Sequence, residues 1–471
     1  MNKPTELIPN EIKTPPKGLA VLALVGPSFV WCAEYIGSGE VILATRTGAI
    51  LGTGVMWAII LGIFLKYWIG MSGARYTVCT GEAMIDMFDR IPGPKHWVVW
   101  IVLVAQFISG AVSIGSIASA AGVFLSSLIP ISSTLAGWLV TIFCLVIAWT
   151  GVFDLLKIIM SFFVFVIVIG VLYVAGNVMP GISEFLKGLV IQIPGVADWA
   201  ISNYGLHANP WREILPLLGW AAGGFASQVW YTYWVLGAGY GATHGREYGV
   251  PADLNFLKKM TRETALKIKG WLKVVYLDAT LAMVIGNVVT VSFLVAGAGV
   301  LGTSKLAPEG SEVAITLSNI FSSRWGELGG LLFLLSGAAA LVGTQIGQLA
   351  GWPRLLADTF RICIPPFQRN FSWKIQFRIF LAFFFLSNMI IVYSLGYKPV
   401  FLVKIGAVLD GLLLTPLQAL WIGIGLFWVM PKLLSRDAGK ILKPHWIFGL
   451  GLLIAFLVFG YFCVFQIPFI L

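Results

Sequence analysis

Charge is what this sequence has least of. Only 11% of its 471 residues are Asp, Glu, Lys or Arg, against 58% hydrophobic. A soluble domain carries about a quarter charged residues to cover its surface, so a water-soluble globular protein is excluded. A chain whose outer face meets lipid needs no such cover. Cysteine and histidine are also scarce, at 5 and 4 residues. Cys32, Cys79, Cys144, Cys363 and Cys463 are scattered, with no CxxC pair and no Cys/His cluster, which argues against a disulfide framework and a zinc site. No long polar segment could build a soluble module, so one membrane domain is expected. The net charge of +10 does not point to nucleic acid, because the basic residues are spread through short loops. The opening stretch Met1 to Lys17 is polar and the apolar run after it is too long for a signal-peptide core.

What is present is a series of apolar runs. A spanning helix needs roughly 20 apolar residues, and the runs at 19–50, 53–73, 97–129, 135–153, 156–179, 213–243, 271–301, 326–351, 375–395, 398–430 and 446–468 meet or exceed that. The expected fold is therefore an all-α integral membrane protein with about eleven transmembrane helices. Several runs exceed one bilayer thickness and imply tilt, kinks or breaks. Lys and Arg alternate sharply between loops. One set holds Lys3, Lys13, Lys17, Arg75, Arg90, Lys95, Lys157, Arg246, Lys258, Lys259, Arg262, Lys267, Lys269, Arg354, Arg361, Arg369, Lys374, Lys432, Arg436, Lys440 and Lys443; the other holds only Lys187, Arg212, Lys305, Arg324 and Lys398. The positive-inside rule then predicts a multi-pass cell-membrane protein with a cytoplasmic N-terminal segment, 1–18, and a C-terminus outside. Segment 181–212 reads as a long outer loop and 244–270 as a basic cytoplasmic one.

Two spans carry glycines at mid-length. The first has Gly37-Ser38-Gly39 and the sixth has Gly223-Gly224, followed by Phe225-Ala226-Ser227-Gln228. Glycine weakens a helix interior by about 1 kcal/mol relative to alanine, and unwound backbone in a membrane is tolerated only against protein or a watery cavity. Breaks five spans apart are what two inverted five-helix repeats would place around a shared site; close packing through small residues is the other reading. The division that follows is a transporter domain over 19–468, with repeats over 19–179 and 213–430 and an extra helix at 446–468.

Charges inside the apolar runs are the second pointer: Glu34, Glu40, Arg46, Lys66, Asp278, Lys404 and Asp410. A mid-bilayer charge costs at least ~2.5 kcal/mol and usually faces a cavity or a partner. Glu40 follows the first break, where a carboxylate either caps a half-helix or binds a cation. Glu34 lies before the break and could pair with Arg46 or with substrate. Asp278 reads as an ion relay or as half of a salt bridge. Trp31, Tyr35, Trp230, Tyr231, Tyr233 and Trp234 flank the two breaks, as an interfacial belt or as rings beside an organic cation. No phosphate loop, catalytic His/Asp pair, metalloprotease spacing or selectivity-filter loop occurs, which argues against an enzyme and a channel, and no cofactor is expected.

At these residues the chain resembles a known family. Gly26-Pro27-Ser28-Phe29 with Tyr35-Ile36-Gly37-Ser38-Gly39-Glu40 looks like the first helix of the Nramp divalent-metal transporters, and Ala74-Arg75-Tyr76 with Thr80-Gly81-Glu82 looks like the end of that family's second helix. The order and lengths of the spans are similar too. The resemblance implies a leucine-transporter-type 5+5 inverted-repeat fold, broken helices 1 and 6, and a substrate site between those breaks. Taken with the glycine breaks and the buried charges, this makes Gly37, Ser38, Gly39, Glu40, Glu34, Gly223, Gly224, Ser227 and Gln228 the candidate substrate site, with Glu40 and Glu34 as candidate metal ligands.

The departures from the family pattern bear on the substrate. Its first helix carries Asp-Pro-Gly-Asn where this chain has Gly37-Ser38-Gly39-Glu40. Its sixth helix carries Met-Pro-His-Asn, whereas no Met or His lies between Gly223 and Gln228. Its third helix holds acids, whereas Ser109 to Ser127 holds none. The histidines His96, His207, His244 and His445 fall in loops or at span ends. Without soft thioether and imidazole ligands, a hard cation such as Mg²⁺ is favoured over manganese or iron. Gly37-Ser38-Gly39 is also similar to the Gly-Ser-Gly of amino-acid permeases, whose half-helix N–H groups receive a carboxylate. The expected function is secondary active transport of a cation, with or without a coupling ion, by an Nramp-related protein. Transport of a small organic solute such as an amino acid or amine, and a non-transporting receptor or scaffold, are the alternatives.

Overall fold

The computed structural model describes residues 12–16, 18–151, 153–307, 313–396 and 398–469. Lys3 and Lys17, and with them most of the 1–18 segment, lie outside the described residues. All regular structure among the described residues is helical.

Among the described residues, eleven helical passes follow from the apolar runs. The first is α1, which is interrupted: α1a (Pro27–Tyr35) begins with proline at its first turn, and α1b runs through Gly39–Ala44 and Thr45–Leu51. Then come α2 (Thr53–Thr80), α3 (Trp97–Leu128), α4 (Ser133–Trp149) and α5 (Phe153–Gly176). Next is the interrupted α6, made of α6a (Trp211–Trp220) and α6b (Phe225–Ala238). The rest are α7 (Arg262–Gly302), α8 (Val313–Cys363), α9 (Trp373–Leu395), α10a (Pro399–Leu409) with α10b (Thr415–Leu433), and α11 (Trp446–Gln466). Eight of these helices are long and apolar enough to cross a membrane by length and composition. The other three passes are the broken α1 and α6 and the shorter α4.

Three elements differ from the sequence reading. The 398–430 run is two half-helices, because residues 410–414 form turns and Pro416 opens a new helix. The 244–270 segment is not all loop, since α7 starts at Arg262. Thr261 caps it by accepting from the Thr264 N–H at 3.2 Å, and Lys267 pairs with Glu263 at 3.0 Å one turn away. That polar first turn hid a helix from hydropathy. The outer segment holds two short helices, Ile182–Gly188 and Asp198–Tyr204. It is pinned to the membrane helices by Trp57 Nε1 donating to the Gln192 carbonyl at 2.6 Å.

The packing inverts that of a soluble protein. Ile158, Phe162 and Phe165 of α5 are 66%, 63% and 65% exposed, while Glu40, Lys66 and Asp278 are each 0% exposed. Apolar side chains outside and charges inside are what a lipid solvent selects. The buried centre is built by α1a against α5, α6b, α7 and α8, and by α1b against α6a, α7 and α10a. The breaks of α1, α6 and α10 therefore meet in the middle of the molecule.

Candidate functional site

A broken helix leaves carbonyls and N–H groups without helical partners, and in a membrane these must be satisfied from within. At the α1 break the Gly37 N–H donates to Glu40 Oε2 at 2.8 Å, and the Thr290 hydroxyl of α7 reaches Glu40 Oε1 at 3.4 Å. Thr344 of α8 donates to the Ile36 carbonyl at 3.2 Å. At the α6 break Ala222 and Gly223 both adopt left-handed backbone, φ 57° and 70°. Gly223 also leaves no room for a side chain, since a Cβ there would sit 2.4 Å from Ser227 Oγ. Lys66 of α2 donates to the carbonyls of Leu218, Gly219 and Gly223 at 3.2, 2.5 and 2.6 Å, and Gln228 Nε2 donates to the Ala222 carbonyl at 2.8 Å. The start of α6b is held by the α10 break. The Phe225 N–H donates to the Asp410 carbonyl at 2.8 Å, and the Ala226 N–H to Asp410 Oδ1 at 3.3 Å. Gln106 of α3 donates to the same carboxylate at 3.0 Å.

Between the α1 and α6 breaks lies a cavity lined by Glu34, Tyr35, Ser38, Gly39, Ile117, Trp220, Gly223, Thr344 and Gln348. Its volume is about 10 Å³, which is about one water. The Glu34 carboxylate accepts from Ser227 Oγ at 2.6 Å, and Trp31 Nε1 donates to that Ser227 oxygen at 3.0 Å. The Gln348 carbonyl oxygen is buried without a hydrogen-bond partner. An unpaired buried acceptor beside a cavity wants explanation, and a bound cation would supply it.

Of the residues singled out from sequence, Glu34, Ser38, Gly39 and Gly223 line this cavity. Gly37 and Glu40 close the α1 break on each other, Gly224 packs against Asp410, Ser227 holds Glu34, and Gln228 holds the α6 break. Tyr35, Ile117, Trp220, Thr344 and Gln348 line the cavity without having been singled out as site residues. Thr344, Gln345 and Gln348 were visible as polar residues clustered in an apolar run, and that was the available signal. Among the described residues no three His, Cys, Asp or Glu side chains come together as a metal cluster. A cation here would meet one carboxylate with hydroxyl, amide and backbone oxygens.

The other buried charges differ from the pairings considered from sequence. Arg46 does not meet Glu34. It donates to the Ala307 carbonyl at 2.8 Å and lies 3.4 Å from Glu213, which also takes Lys404 at 2.7 Å. That cluster joins α1b, α6a and α10a. Asp278 accepts from the Tyr231 hydroxyl at 2.8 Å and the Gly26 N–H at 3.2 Å rather than from a base. On the face where the basic loops gather, Arg361 lies 2.7 Å from Asp86 and 3.2 Å from Asp358, and the Tyr233 hydroxyl donates to Asp358 at 2.7 Å. Glu82 there accepts both Nε and Nη2 of Arg90 at 2.7 Å and the Ala252 N–H at 2.6 Å. Burial pushes the Asp86 carboxyl up to about 7, against the pull of Arg361. Ion-pair clusters thus tie the helices together on both sides of the cavity.

Comparison with known proteins places this architecture. The family model described as natural resistance-associated macrophage protein-like, Nramp, matches residues 28–211. The divalent metal cation transporter MntH of Yersinia enterocolitica is 28% identical over 93 residues, 19% of this chain and 23% of that protein. MntH of Pectobacterium carotovorum is 27% identical over 81 residues, 17% and 20% of the two chains. The chain therefore aligns with about a quarter or less of the length of these curated relatives. The solved Eremococcus coleocola manganese transporter, in complex with an aromatic bis-isothiourea substituted compound, is similar with a TM-score of 0.60. That match covers 96% of this chain and 88% of the other at 15% identity. A nucleobase-cation-symport-1 family transporter, closed with bromovinylhydantoin bound, gives 0.52 at 13% identity over 93% and 91%. MhsT in complex with L-phenylalanine gives 0.51 at 14% identity over 92% and 98%. These identities speak to fold alone, and the fold is the leucine-transporter type. The chain thus resembles the Nramp family across residues 28–211, shares the fold of these transporters over nearly its whole length, and is a multi-pass integral membrane protein.

Proposed function

We propose that this protein is a secondary active transporter of a divalent metal cation, and that the cation is a hard one such as Mg²⁺. The carrying observation is the cavity between the α1 and α6 breaks. Its wall sets the Glu34 carboxylate, Ser38, Thr344 and the unpaired Gln348 carbonyl beside Tyr35, Ile117 and Trp220, and has no sulfur or imidazole. Oxygen ligands alone suit Mg²⁺ or Ca²⁺, while soft ligands select transition metals. Around the breaks, the carboxylates of Glu34, Glu40 and Asp410 and the ammonium of Lys66 are all at most 2% exposed. A divalent cation balances the formal excess of negative charge. The cavity's volume of about 10 Å³, about one water, suits a single ion.

The same reading assigns Glu34, Ser38, Thr344 and Gln348 to the ion directly, with Gly37, Glu40, Gly224, Ser227 and Gln228 shaping the breaks around it. It takes 19–179 and 213–430 as the inverted repeats, with 446–468 as an appended helix. The basic face is the cytoplasmic one by the positive-inside rule, which puts the N-terminus inside and the C-terminus outside. Purified protein in liposomes enclosing a divalent-cation indicator tests the class. Saturable uptake above empty liposomes is expected. No divalent flux together with uptake of a labelled amino acid or amine would reverse the reading, and no flux of any solute would favour a receptor.

A further inference from the structure

Lys66 sits midway along α2, fully buried, and all its hydrogen bonds go to backbone. An ammonium has three donors, and here they converge on the carbonyls of Leu218, Gly219 and Gly223 at 3.2, 2.5 and 2.6 Å. Those oxygens are the C-terminal end of α6a and the break after it, so they carry the negative end of the half-helix dipole. The ring of Phe459 on α11 lies 5.7 Å from Nζ on another side. Asp410 of α10 and Glu40 of α1b are the acidic groups whose field acts on Lys66. Neither is within ion-pair distance among the described pairs. A fully buried charge is expensive unless its surroundings replace water, and here a ring of carbonyls does so. Backbone oxygens converging on one point are how proteins hold a dehydrated monovalent cation. The lysine side chain delivers that cation covalently.

We propose that the Lys66 ammonium is a tethered cation, occupying the place where the broken sixth helix would otherwise bind a free monovalent ion such as Na⁺. The protein therefore carries its helix 6 counter-ion within itself, and neither its stability nor its transport depends on sodium. Lys66 is a specificity residue: it denies the α6a carbonyls to a mobile ion and leaves the neighbouring cavity, with Glu34, to the substrate. Removing the tether should convert the carbonyl cradle into an empty site for Na⁺ or K⁺. The inference concerns stability as well as flux, so it stands or falls apart from which substrate is carried.

The test is thermal unfolding of purified full-length protein in NaCl, KCl and choline chloride at equal ionic strength. Wild-type protein should unfold at the same temperature in all three. Lys66→Ala should unfold at a lower temperature in choline and recover with a saturable upward shift in NaCl or KCl. Lys66→Met, which fills the space with an apolar chain, should show no such recovery. Uniform loss of stability in Lys66→Ala with no preference among cations would overturn the proposal. So would failure to recover Lys66→Ala in any salt while Lys66→Met purifies normally. If neither variant folds, the wild type decides alone: a sodium-dependent midpoint, or uptake that falls when choline replaces sodium, refutes a tethered ion, and indifference in both supports it.

Discussion

Replacing Glu34 with glutamine exchanges one oxygen for an amide nitrogen and removes one charge from the cavity wall; the same change at Glu40 removes one charge from the backbone of the break. The two substitutions should differ sharply. Glu34 is the one carboxylate that lines the cavity. Two unit charges at 4 Å attract by about 4 kcal/mol at an effective dielectric of 20. A divalent ion doubles that, and desolvation takes much of it back, leaving about 3 kcal/mol and about a 100-fold loss of affinity. Glu40 accepts the Gly37 N–H at 2.8 Å, and a glutamine oxygen can still accept it. A charge-assisted hydrogen bond is roughly twice a neutral one, so Glu40→Gln should cost about 1 kcal/mol of stability and reduce uptake less than about tenfold. Isothermal titration with Mg²⁺ and liposome uptake read both variants. Intact Mg²⁺ binding in Glu34→Gln, with binding abolished in Glu40→Gln, would refute this division of labour and make Glu40 the ligand.

Three further outcomes follow from the same geometry. Gly223→Ala puts a Cβ 2.4 Å from Ser227 Oγ and 3.0 Å from Tyr35 Cβ at φ 70°; about 1–2 kcal/mol of backbone strain and a displaced Ser227 should lower both the unfolding midpoint and uptake, and wild-type values would show that the break is not strained. Glu213→Gln leaves Arg46 and Lys404 without their shared carboxylate. Breaking such buried pairs is costly, so amide exchange in α1b and α6a should speed up by roughly tenfold or more; unchanged exchange would mean the cluster does not hold these half-helices shut. The Asp86 carboxyl, held up at about 7 by burial, binds its proton more tightly folded than unfolded. Its contribution is therefore full below about pH 4 and is lost as pH rises through 7. Wild type should lose stability relative to Asp86→Asn across that window, and a constant difference between the two melting curves would contradict the assignment.

The broken first and sixth helices were legible because glycine in the middle of an apolar run has few other uses in a membrane. The third break was not, since Asp410-Gly411 is followed by three leucines that keep the hydropathy high. The one local sign was Thr415-Pro416, a proline at the first turn of a new helix. Glu34 could be picked out as a charge beside a break. Thr344 and Gln348 could not be assigned to the cavity, because nothing local says which face of α8 meets α1. The role of Lys66 was invisible for a similar reason: its carbonyl partners lie 152 to 157 residues away. Glu40 was open between cap and ligand, and the structure adds that its carboxylate accepts the Gly37 N–H. Buried charges announce themselves in a membrane sequence, but their partners are set by tertiary packing.

The proposed cargo of the cavity with Glu34 in its wall is a hard divalent cation. Initial uptake rates of Mg²⁺ and Mn²⁺, measured side by side in the same liposomes for wild type and Glu34→Gln, test it most directly. Saturable Mg²⁺ uptake that exceeds Mn²⁺ uptake and collapses in Glu34→Gln is expected. Mn²⁺ uptake that outruns Mg²⁺ and survives the loss of Glu34 would contradict it, because the ion would then be held by ligands other than those lining this cavity.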